Sequence, residues 1–325
     1  MNKFFLSIAS LFIMVGCSHS PNGELVFVDA GENEGFHFPY FLFIPDDVVQ
    51  NEKVHLIVHP NNSGFADDDL QKHIDKAQRT ASKDFYLGNY VALELNYPLL
   101  VPVFPRSRTN WKIYTHSLDR DVMIQKDDSL ERIDLQLIEM FEDARHRLEK
   151  RNIESEDRFL LTGFSASATF ANRFVVIHPE LVSAVAAGGL NGLLMLPLDS
   201  LKDEALNYPV GTNDLNRLTA REFDRDTFLK IPQFYFMGEL DDNDAIPFED
   251  AFDDDERHQI YRLLGRQMQP ERWNNCAGIY KTQPVNAVIK TYESIGHEAP
   301  EIVKDEIVEF FRNSLNIPQS ELHSK

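Results

Sequence analysis

Residues 127–152 carry the clearest periodic pattern of apolar and polar positions in the chain. Apolar side chains recur there at intervals of three and four, on one face of a helix, at Leu130, Ile133, Leu137, Phe141, Ala144 and Leu148. The apolar run at 158–163 follows directly and has the length of a short buried strand. The pattern therefore predicts a helix that leads straight into a strand, as in the repeating unit of a parallel sheet.

Short apolar runs bounded by Gly, Pro or charged residues predict the other strands. They lie at 23–31, 36–47, 53–60, 97–106, 182–189, 232–239 and 287–294. Helical patterns alternate with them at 67–96, after residue 165, around 253–268 and at 300–316. The first two runs are typical of a hairpin. The alternation that follows predicts an α/β fold with a mostly parallel central sheet flanked by helices on both faces.

One segment interrupts this alternation. Residues 193–230 are irregular, rich in polar residues and long for a loop, so we expect an insertion that forms a cap over a site. The rest of the chain shows no internal repeat, low-complexity tract or linker. Residues 23–318 are therefore expected to form one domain, followed by a polar tail at 319–325.

The first 16 residues combine one lysine with an apolar run too short to span a bilayer as a mature helix, which is typical of a signal peptide. Residues 13–17, IMVGC, resemble the lipobox of bacterial lipoproteins, which implies that Cys17 carries the lipid and that 17–22 form a tether. Ser18 is not the Asp that tends to retain such proteins at the inner membrane. The resemblance therefore implies an exported lipoprotein anchored in the outer membrane, facing the periplasm or the cell surface. The alternative is an ordinary secretory peptide that happens to contain a cysteine.

Composition narrows the class of protein further. With Cys17 modified, Cys276 is the one remaining cysteine, so the domain is expected to fold without a disulfide. A hydrophobic share of 43% with 24 phenylalanines is enough for a large core. A formal net charge of −20 argues against nucleic acid or anionic lipid as partners, because both would be repelled.

The segment GFSAS at 163–167 sets a serine at the junction of a predicted strand and a predicted helix. It nearly matches the pattern G-x-S-x-G, with Ser167 where the second glycine would stand. A nucleophile held in a strained strand-to-helix turn needs small neighbours, and Gly163, Ala166 and Ser167 are all small. The alternative for Ser165 is an ordinary helix N-cap.

An acidic loop and a histidine come later in the chain, each at the end of a predicted strand. The loop ELDDND occupies 239–244, and His297 follows Gly296 just beyond the strand at 287–294. In parallel α/β sheets, sites form at the carboxyl ends of the strands. The order serine, acid, histidine is that of α/β-hydrolases and not of the other serine hydrolase designs.

On these residues the chain resembles an α/β-hydrolase over most of its mature length. Residues 163–189 are similar to the corresponding stretch of the polyhydroxybutyrate depolymerase and feruloyl esterase branch, which usually has further glycines at Ser167 and Ala168. The resemblance implies an α/β-hydrolase fold and a serine esterase. The usual G-x-x-D arrangement of the family implies that the acid is Asp241, three residues after Gly238.

The chemistry of acyl transfer assigns a role to each group. Ser165 would attack an acyl carbon, His297 would take its proton and return it to the leaving group, and a carboxylate would orient the imidazole and stabilise its charged form. Asp244 is the alternative acid, ahead of Asp242 and Glu239. A solvated acidic loop is the other interpretation. The loop lacks the glycine and terminal glutamate of an EF-hand, so no metal site is predicted.

Acyl transfer also needs hydrogen-bond donors for the oxyanion. One is expected to be the backbone N–H of Ala166, which follows the nucleophile. The second is expected in the loop HPNNSG at 59–64, where Pro60 has no N–H, so the donor would be Asn61 or Asn62. An asparagine-rich turn without function is the alternative.

Residues 102–121 also follow a strand and are expected near the site. Three of them could line a substrate cleft, namely Trp111, Tyr114 and His116. Arg106 could bind a carboxylate or pair with an acid, and Arg120, between Asp119 and Asp121, has the pattern of local ion pairs. The pattern assigns none of them a definite role.

The sequence therefore predicts a secreted, membrane-anchored serine hydrolase that cleaves small-molecule or polymeric carboxylic esters through an acyl-enzyme, without metal or organic cofactor. A peptidase on the same fold is the alternative within enzymes. From another class, a non-catalytic surface lipoprotein could use the same scaffold to bind a glycan or a protein. The presence of serine, acid and histidine in order favours the enzyme. Nothing in the pattern indicates an oligomeric state.

Overall fold

The computed structural model describes most of the chain. The described residues are 17–20, 22–49, 52–61, 65–126 and 129–316. The predicted signal peptide at 1–16, Asn62 and the predicted tail at 319–325 lie outside them. No helix within the described ranges has both the length and the apolar character needed to cross a bilayer.

The described residues form eleven strands. These are β1 (Cys17–Ser20), β2 (Gly23–Val28), β3 (Tyr40–Pro45), β4 (Ile57–Val58), β5 (Leu99–Pro102), β6 (Phe159–Phe164), β7 (Val182–Gly188), β8 (Ser200–Leu201), β9 (Glu204–Ala205), β10 (Gln233–Gly238) and β11 (Ala287–Tyr292). Nine of them make one sheet in the order β1-β2-β3-β5-β4-β6-β7-β10-β11, and β8 and β9 make a separate hairpin.

The sheet is antiparallel at one end and parallel elsewhere. Strands β1, β2, β3 and β5 pair antiparallel, with Phe27 opposite Phe41, whereas β5, β4, β6, β7, β10 and β11 run parallel. Every side chain of β3, β5 and β10 is buried, which requires cover on both faces of the sheet. The predicted mostly parallel α/β architecture, including the initial hairpin, is confirmed.

Ten α-helices lie in the described residues. They are α1 (Leu70–Ser82), α2 (Leu87–Leu95), α3 (Arg120–Met123), α4 (Ile133–Glu149), α5 (Ala166–Ile177), α6 (Leu215–Thr219), α7 (Arg225–Lys230), α8 (Asp254–Leu264), α9 (Trp273–Thr282) and α10 (Glu301–Leu315). Helix α4 is the periodic segment of the sequence, and its apolar stripe is fully buried at Ile133, Leu137, Phe141, Ala144 and Leu148. The periodicity therefore identified the face that packs on the sheet.

The single helix predicted at 67–96 is two helices. Helix α1 ends where the N–H of Lys83 donates to the carbonyl of Arg79 (3.1 Å), and the chain then turns so that the N–H of Tyr86 donates to Lys83 (2.9 Å). The turn lets α2 bury its own apolar face at Leu87, Val91, Ala92 and Leu95. It leaves Phe85 at the surface, 78% exposed.

The segment at 193–230 is more ordered than its sequence pattern indicates. It contains the β8–β9 hairpin, α6 and α7, and its apolar residues join the main core at Leu194, Leu196, Leu206, Tyr208, Val210 and Phe228. The guanidinium of Arg120 ties it to the domain by donating to the carbonyl of Tyr208 (2.7 Å) and to Asp214 (2.6 Å). The ion pairs expected between Arg120 and its sequence neighbours are therefore wrong, because the guanidinium pairs across the fold.

Helix α9 has no counterpart in the sequence prediction. Its inward residues are Trp273, Cys276, Ala277 and Tyr280, separated by two asparagines that weaken the apolar pattern. Cys276 is fully buried and free, and burial raises the pKa of its thiol to about 12. A thiol in this state is protonated and unreactive at neutral pH.

Candidate active site

Ser165 lies in a strained turn between β6 and α5. Its backbone has φ 63° and ψ −130°, a conformation that residues with a side chain rarely adopt. The N–H of Ser165 donates to the carbonyl of Gly188 at the end of β7 (3.0 Å). A Cβ added to Gly163 would come within 2.4 Å of the carbonyl oxygen of Ser167, so only glycine fits there. The turn presents Ser165 at the carboxyl edge of the sheet.

Ser167, at the place of the second motif glycine, stabilises this turn through its hydroxyl. Its Oγ accepts from the N–H of Phe164 (2.9 Å) and donates to the carbonyl of the same residue (2.8 Å). The side chain is fully buried. A small polar residue therefore replaces the usual glycine by bonding back to the chain that precedes the nucleophile.

Two loops at the same edge of the sheet carry the acid and the histidine. The N–H of Leu240, after β10, donates to the carbonyl of Ile295, after β11 (2.8 Å). A Cβ added to Gly238 would lie 2.3 Å from the carbonyl oxygen of Gly296, so the two loops approach backbone to backbone at a glycine. This contact fixes the position of Asp241 relative to His297.

The imidazole of His297 is held on several sides. Its Nδ1 lies 2.9 Å and 3.1 Å from the two carboxylate oxygens of Asp241, whose side chain is 1% exposed. The ring centroid of Phe164 lies 4.8 Å from that of the imidazole, and Gly189 leaves room for the ring edge. With Nδ1 donating to the carboxylate, Nε2 carries the lone pair and is available as a base.

Asn243, which no sequence pattern singled out, lies between the serine and the histidine. Its Nδ2 is 3.4 Å from Ser165 Oγ and 3.2 Å from His297 Nε2. Within the described part of the chain, Oγ and Nε2 share no direct hydrogen bond. In this structure the amide nitrogen of Asn243 therefore bridges the serine hydroxyl and the imidazole.

The alternative acid Asp244 is paired with a group other than the histidine. Its carboxylate lies 2.5 Å from Arg272, whose side chain is fully buried and also donates to the carbonyls of Gly192 and Gly265. The interpretation of Asp244 as the acid is thus not supported by the geometry, because its charge compensates a buried guanidinium. Nearby, Glu239 accepts from the N–H of Ser294, so it too has another partner.

A pocket of about 460 Å³ opens beside Ser165 and His297. One wall comes from the α1–α2 region and another from the start of α10, and the lining residues are His59, Lys76, Thr80, Phe85, Tyr86, Leu87, Phe164, Glu298, Ala299, Pro300, Glu301 and Lys304. No residue of 193–230, a segment described in full, lines it. The expected cap over the site is therefore not what covers this pocket.

The loop after β4 lies close to the pocket through His59. Burial, reinforced by the charge of Lys76, lowers the pKa of His59 to about 3, so this ring is neutral at ordinary pH. Asn61 is buried and donates through Nδ2 to the carbonyl of His73 (3.4 Å). Ala166 begins α5, where its N–H has no preceding turn to bond to.

The segment at 102–121 packs into the fold instead of lining the pocket. Arg106 pairs with Asp250, and its guanidinium stacks 3.7 Å from the ring centroid of Tyr114. His116 is buried with Nε2 at 2.9 Å from the carbonyl oxygen of Phe104. Of the aromatic candidates, Trp111 is exposed (43%) but lies outside the pocket lining. Across the described ranges, no group of three or more His, Cys, Asp or Glu side chains is arranged to hold a metal ion.

Several solved structures share this architecture. A poly(aspartic acid) hydrolase from Sphingomonas sp. KT-1 matches with a TM-score of 0.56 and 15% identity over 90% of this chain and 98% of its own. The poly(3-hydroxybutyrate) depolymerase from Bordetella parapertussis matches at 0.54 and 14% over 92% and 90%. An S-formylglutathione hydrolase from Agrobacterium tumefaciens matches at 0.51 and 10% over 93% and 98%.

No protein-family model and no curated protein sequence matches the chain. The structural matches, together with the mostly parallel sheet, confirm the predicted α/β-hydrolase fold. At 10–15% identity they establish the fold alone.

Proposed function

We propose that this protein, which has the α/β-hydrolase fold, is a serine esterase that cleaves carboxylic esters through an acyl-enzyme intermediate, with Ser165 as nucleophile, His297 as base and Asp241 as acid. The observation that carries the proposal is the orientation of the imidazole. Its Nδ1 faces a buried carboxylate, and its Nε2 is joined through one amide nitrogen to a serine hydroxyl in a strained turn. A serine, an imidazole and a buried carboxylate in this order make an alcohol nucleophilic near neutral pH once the hydroxyl donates directly to Nε2.

The proposed reaction runs in two halves. The Oγ of Ser165 forms a bond to the acyl carbon while its proton passes to Nε2 of His297, and the carbon–oxygen bond to the alcohol breaks as Nε2 returns that proton to the leaving oxygen. Water then repeats the sequence on the acyl-enzyme and releases the acid. Throughout, Asp241 holds the ring with Nδ1–H towards it and stabilises the imidazolium.

The negative oxygen of each tetrahedral intermediate requires donors. The N–H of Ala166 is the first, since it sits at the N-terminus of α5, where the helix dipole also favours negative charge. We assign the second donor to the backbone N–H of Asn61 or Asn62. A buried Asn61, close to the pocket residue His59, supports this assignment.

The pocket favours an apolar or aromatic group on one side of the ester. Its apolar wall includes Phe85, Tyr86, Leu87 and Pro300, and a volume of about 460 Å³ is in the range of small-molecule sites. The positive charges of Lys76 and Lys304 are matched in number by the negative charges of Glu298 and Glu301, so the lining has no net charge that would favour a charged acyl group. We therefore propose esters of uncharged acyl or aryl acids.

Labelling by a serine-directed fluorophosphonate tests the nucleophile. We expect the wild-type protein to react in one step that also abolishes ester turnover, and Ser165→Ala to do neither. Ser200→Ala is the matched control, because that serine is exposed and its hydroxyl donates to Asp199. Turnover that persists in Ser165→Ala at the wild-type rate would end the assignment.

Paired substrates test the reaction class. An ester and the amide of the same acyl group differ only in the leaving atom, and we expect the ester to be cleaved far faster. Preferential cleavage of the amides would assign a peptidase instead. Acyl chains of increasing length then report on how much of the pocket is used.

We also propose that the protein is exported and anchored by a lipid on Cys17, on the outer membrane where the cell has one. The lipobox-like residues 13–17 support this proposal. Metabolic labelling with an alkyne-bearing fatty acid is expected to mark the wild-type protein and leave Cys17→Ser unlabelled and released from the membrane fraction. Equal labelling of both forms would refute it.

A further inference from the structure

The carboxamide of Asn243 occupies the path along which the serine proton must travel. An amide NH₂ has two hydrogens and no lone pair to offer, so it can donate to Ser165 Oγ (3.4 Å) and to His297 Nε2 (3.2 Å) at once. In that state the lone pair of Nε2 is taken by the amide. The serine hydroxyl therefore has no access to its base until the amide leaves.

The backbone around Asn243 is fixed, whereas its side chain is exposed. The N–H of Asn243 donates to Asp241 Oδ1 (3.0 Å), and the N–H of Ile246 donates to Asp244 Oδ1 (3.1 Å). Asp244 is in turn held by Arg272. A movement that frees Nε2 is therefore a rotation of the Asn243 side chain, which is an ordinary fast event for an exposed residue.

The amide lies outside the lining of the pocket that opens beside the reacting atoms. The pocket is lined by Ser165 and His297 but by no residue of the loop 239–253, to which Asn243 belongs. The leaving oxygen must reach Nε2 to receive its proton, and this is the position that the amide occupies. The leaving group of a bound substrate therefore meets Asn243.

We propose that Asn243 holds the resting triad uncoupled and that the leaving group of the substrate displaces its carboxamide. This proposal rests on the proposed esterase function of the same three residues. Once the amide has rotated away, the hydroxyl of Ser165 donates to Nε2 and the attack proceeds. After the product leaves, the amide returns. A leaving group that fills the space of the carboxamide therefore keeps it displaced, whereas a small leaving group lets it return before the attack.

Two phosphorylating reagents with one phosphoryl group and different leaving groups test the proposal on the purified full-length protein. Diethyl fluorophosphate and diethyl 4-nitrophenyl phosphate both form a Ser165 Oγ–phosphorus bond and release fluoride or 4-nitrophenolate. Fluoride is a single atom and is too small to displace the amide. The limiting first-order rate at saturating reagent is measured, because it starts from the bound complex. We expect Asn243→Ala to accelerate this rate for the fluoride reagent about 2- to 12-fold, the worth of one ordinary hydrogen bond. For the nitrophenyl reagent it is expected to change by less than about twofold, since the bound leaving group has already displaced the amide.

Controls separate this outcome from other causes. Asn216→Ala removes an exposed asparagine that bonds to Glu222 far from the triad in sequence, and it is expected to leave both rates unchanged. Asn243→Ser, whose side chain is too short to bridge both atoms, is expected to behave as Asn243→Ala, and thermal unfolding verifies that each variant is folded.

Fluoride-reagent labelling of the two Asn243 variants at or below the wild-type rate would overturn the proposal, as would equal acceleration with both reagents. Failure of the wild-type protein to label at all would instead refute the esterase assignment.

Discussion

The two carboxylates Asp241 and Asp244 lie three positions apart, and replacing each by asparagine is expected to have opposite consequences. Asp241 contacts the imidazole of His297, whereas Asp244 contacts the buried guanidinium of Arg272. Asp241→Asn is therefore expected to impair catalysis in a stable protein. Asp244→Asn is expected to destabilise a protein that remains catalytically competent when folded.

The magnitude for Asp241 follows from the tautomer of the imidazole. An asparagine amide can donate to Nδ1, which moves the ring proton to Nε2 and removes the base. The analogous change in another serine hydrolase lowers kcat by about 10⁴, so we expect a loss of about 10³- to 10⁴-fold. Stability changes little, because the Oδ1 of the asparagine still accepts the N–H of Asn243. We expect a change in unfolding free energy below about 1 kcal/mol.

The magnitude for Asp244 follows from the charge left behind. Removing one partner of a buried ion pair costs about 3–5 kcal/mol, but Arg272 keeps its carbonyl acceptors at Gly192, Gly265 and Arg266, and the Asp244 side chain is 18% exposed. The Asp244–Arg272 contact is an ion pair at 2.5 Å, and a charge-assisted contact of this kind is worth about 1.5–3 kcal/mol, so we expect a loss of about 2–3 kcal/mol. With an unfolding entropy of about 2.1 cal/mol/K per residue over roughly 300 residues, this lowers Tm by about 3–5 °C.

Two assays on each variant decide the matter. Steady-state hydrolysis of an aryl ester at a temperature well below Tm gives kcat, and thermal unfolding gives stability. Loss of catalysis in Asp244→Asn with an unchanged Tm would refute the reasoning, because it would make Asp244 the acid. A wild-type kcat in Asp241→Asn would also refute it, because Asp241 would then not be the acid.

Two further predictions concern the turn and the core. Ser167→Gly restores the second motif glycine, yet we expect it to lower the unfolding free energy by about 1–3 kcal/mol. It removes both hydrogen bonds to Phe164 and adds a glycine to a helix. Urea unfolding measures the change, and a stabilised variant would contradict the prediction. For Asp134, burial alone would raise the pKa, but hydrogen bonds from His178 and Arg132 outweigh it and lower the pKa to about 2. The ionised carboxyl therefore contributes its full stability above the ordinary pKa of 3.8, and this contribution is lost as pH falls from there towards 2. We expect Asp134→Asn to flatten the acid side of the stability profile, and a profile parallel to that of the wild type would count against this role.

Regular patterns allowed most of the fold to be predicted from the sequence. The helix expected at 127–152 is Ile133–Glu149, and strands β2 to β7, β10 and β11 fall within the expected runs or end one residue beyond them, because a long amphipathic stripe and short buried runs report burial directly. The break between α1 and α2 was missed because both halves are helical in composition. It arises where the chain turns to bury a new face against the sheet, which is a property of tertiary packing.

For the site, chain order and strand ends selected Ser165, His297 and the acidic loop at 239–244, and the family resemblance selected Asp241 within that loop. The structure brings these three residues to one edge of the sheet. The role of Asp244 depended on Arg272, 28 positions later, and a partner at that separation leaves no mark in the sequence. Asn243 was missed for a related reason. A single asparagine in an acidic loop has no motif, and its significance lies only in two distances.

The pocket wall formed by the start of α10 comes from the C-terminal part of the chain, which is synthesised last. The ammonium group of Lys304 donates to the carbonyl oxygens of Asp84 and Phe85, and so joins the start of α10 to the turn between α1 and α2. A nascent chain that has folded only as far as α9 already has the strained serine but has neither its histidine nor this wall. On the proposed mechanism, ester cleavage therefore requires the final strand and helix to be docked, and a chain truncated before them would be inactive.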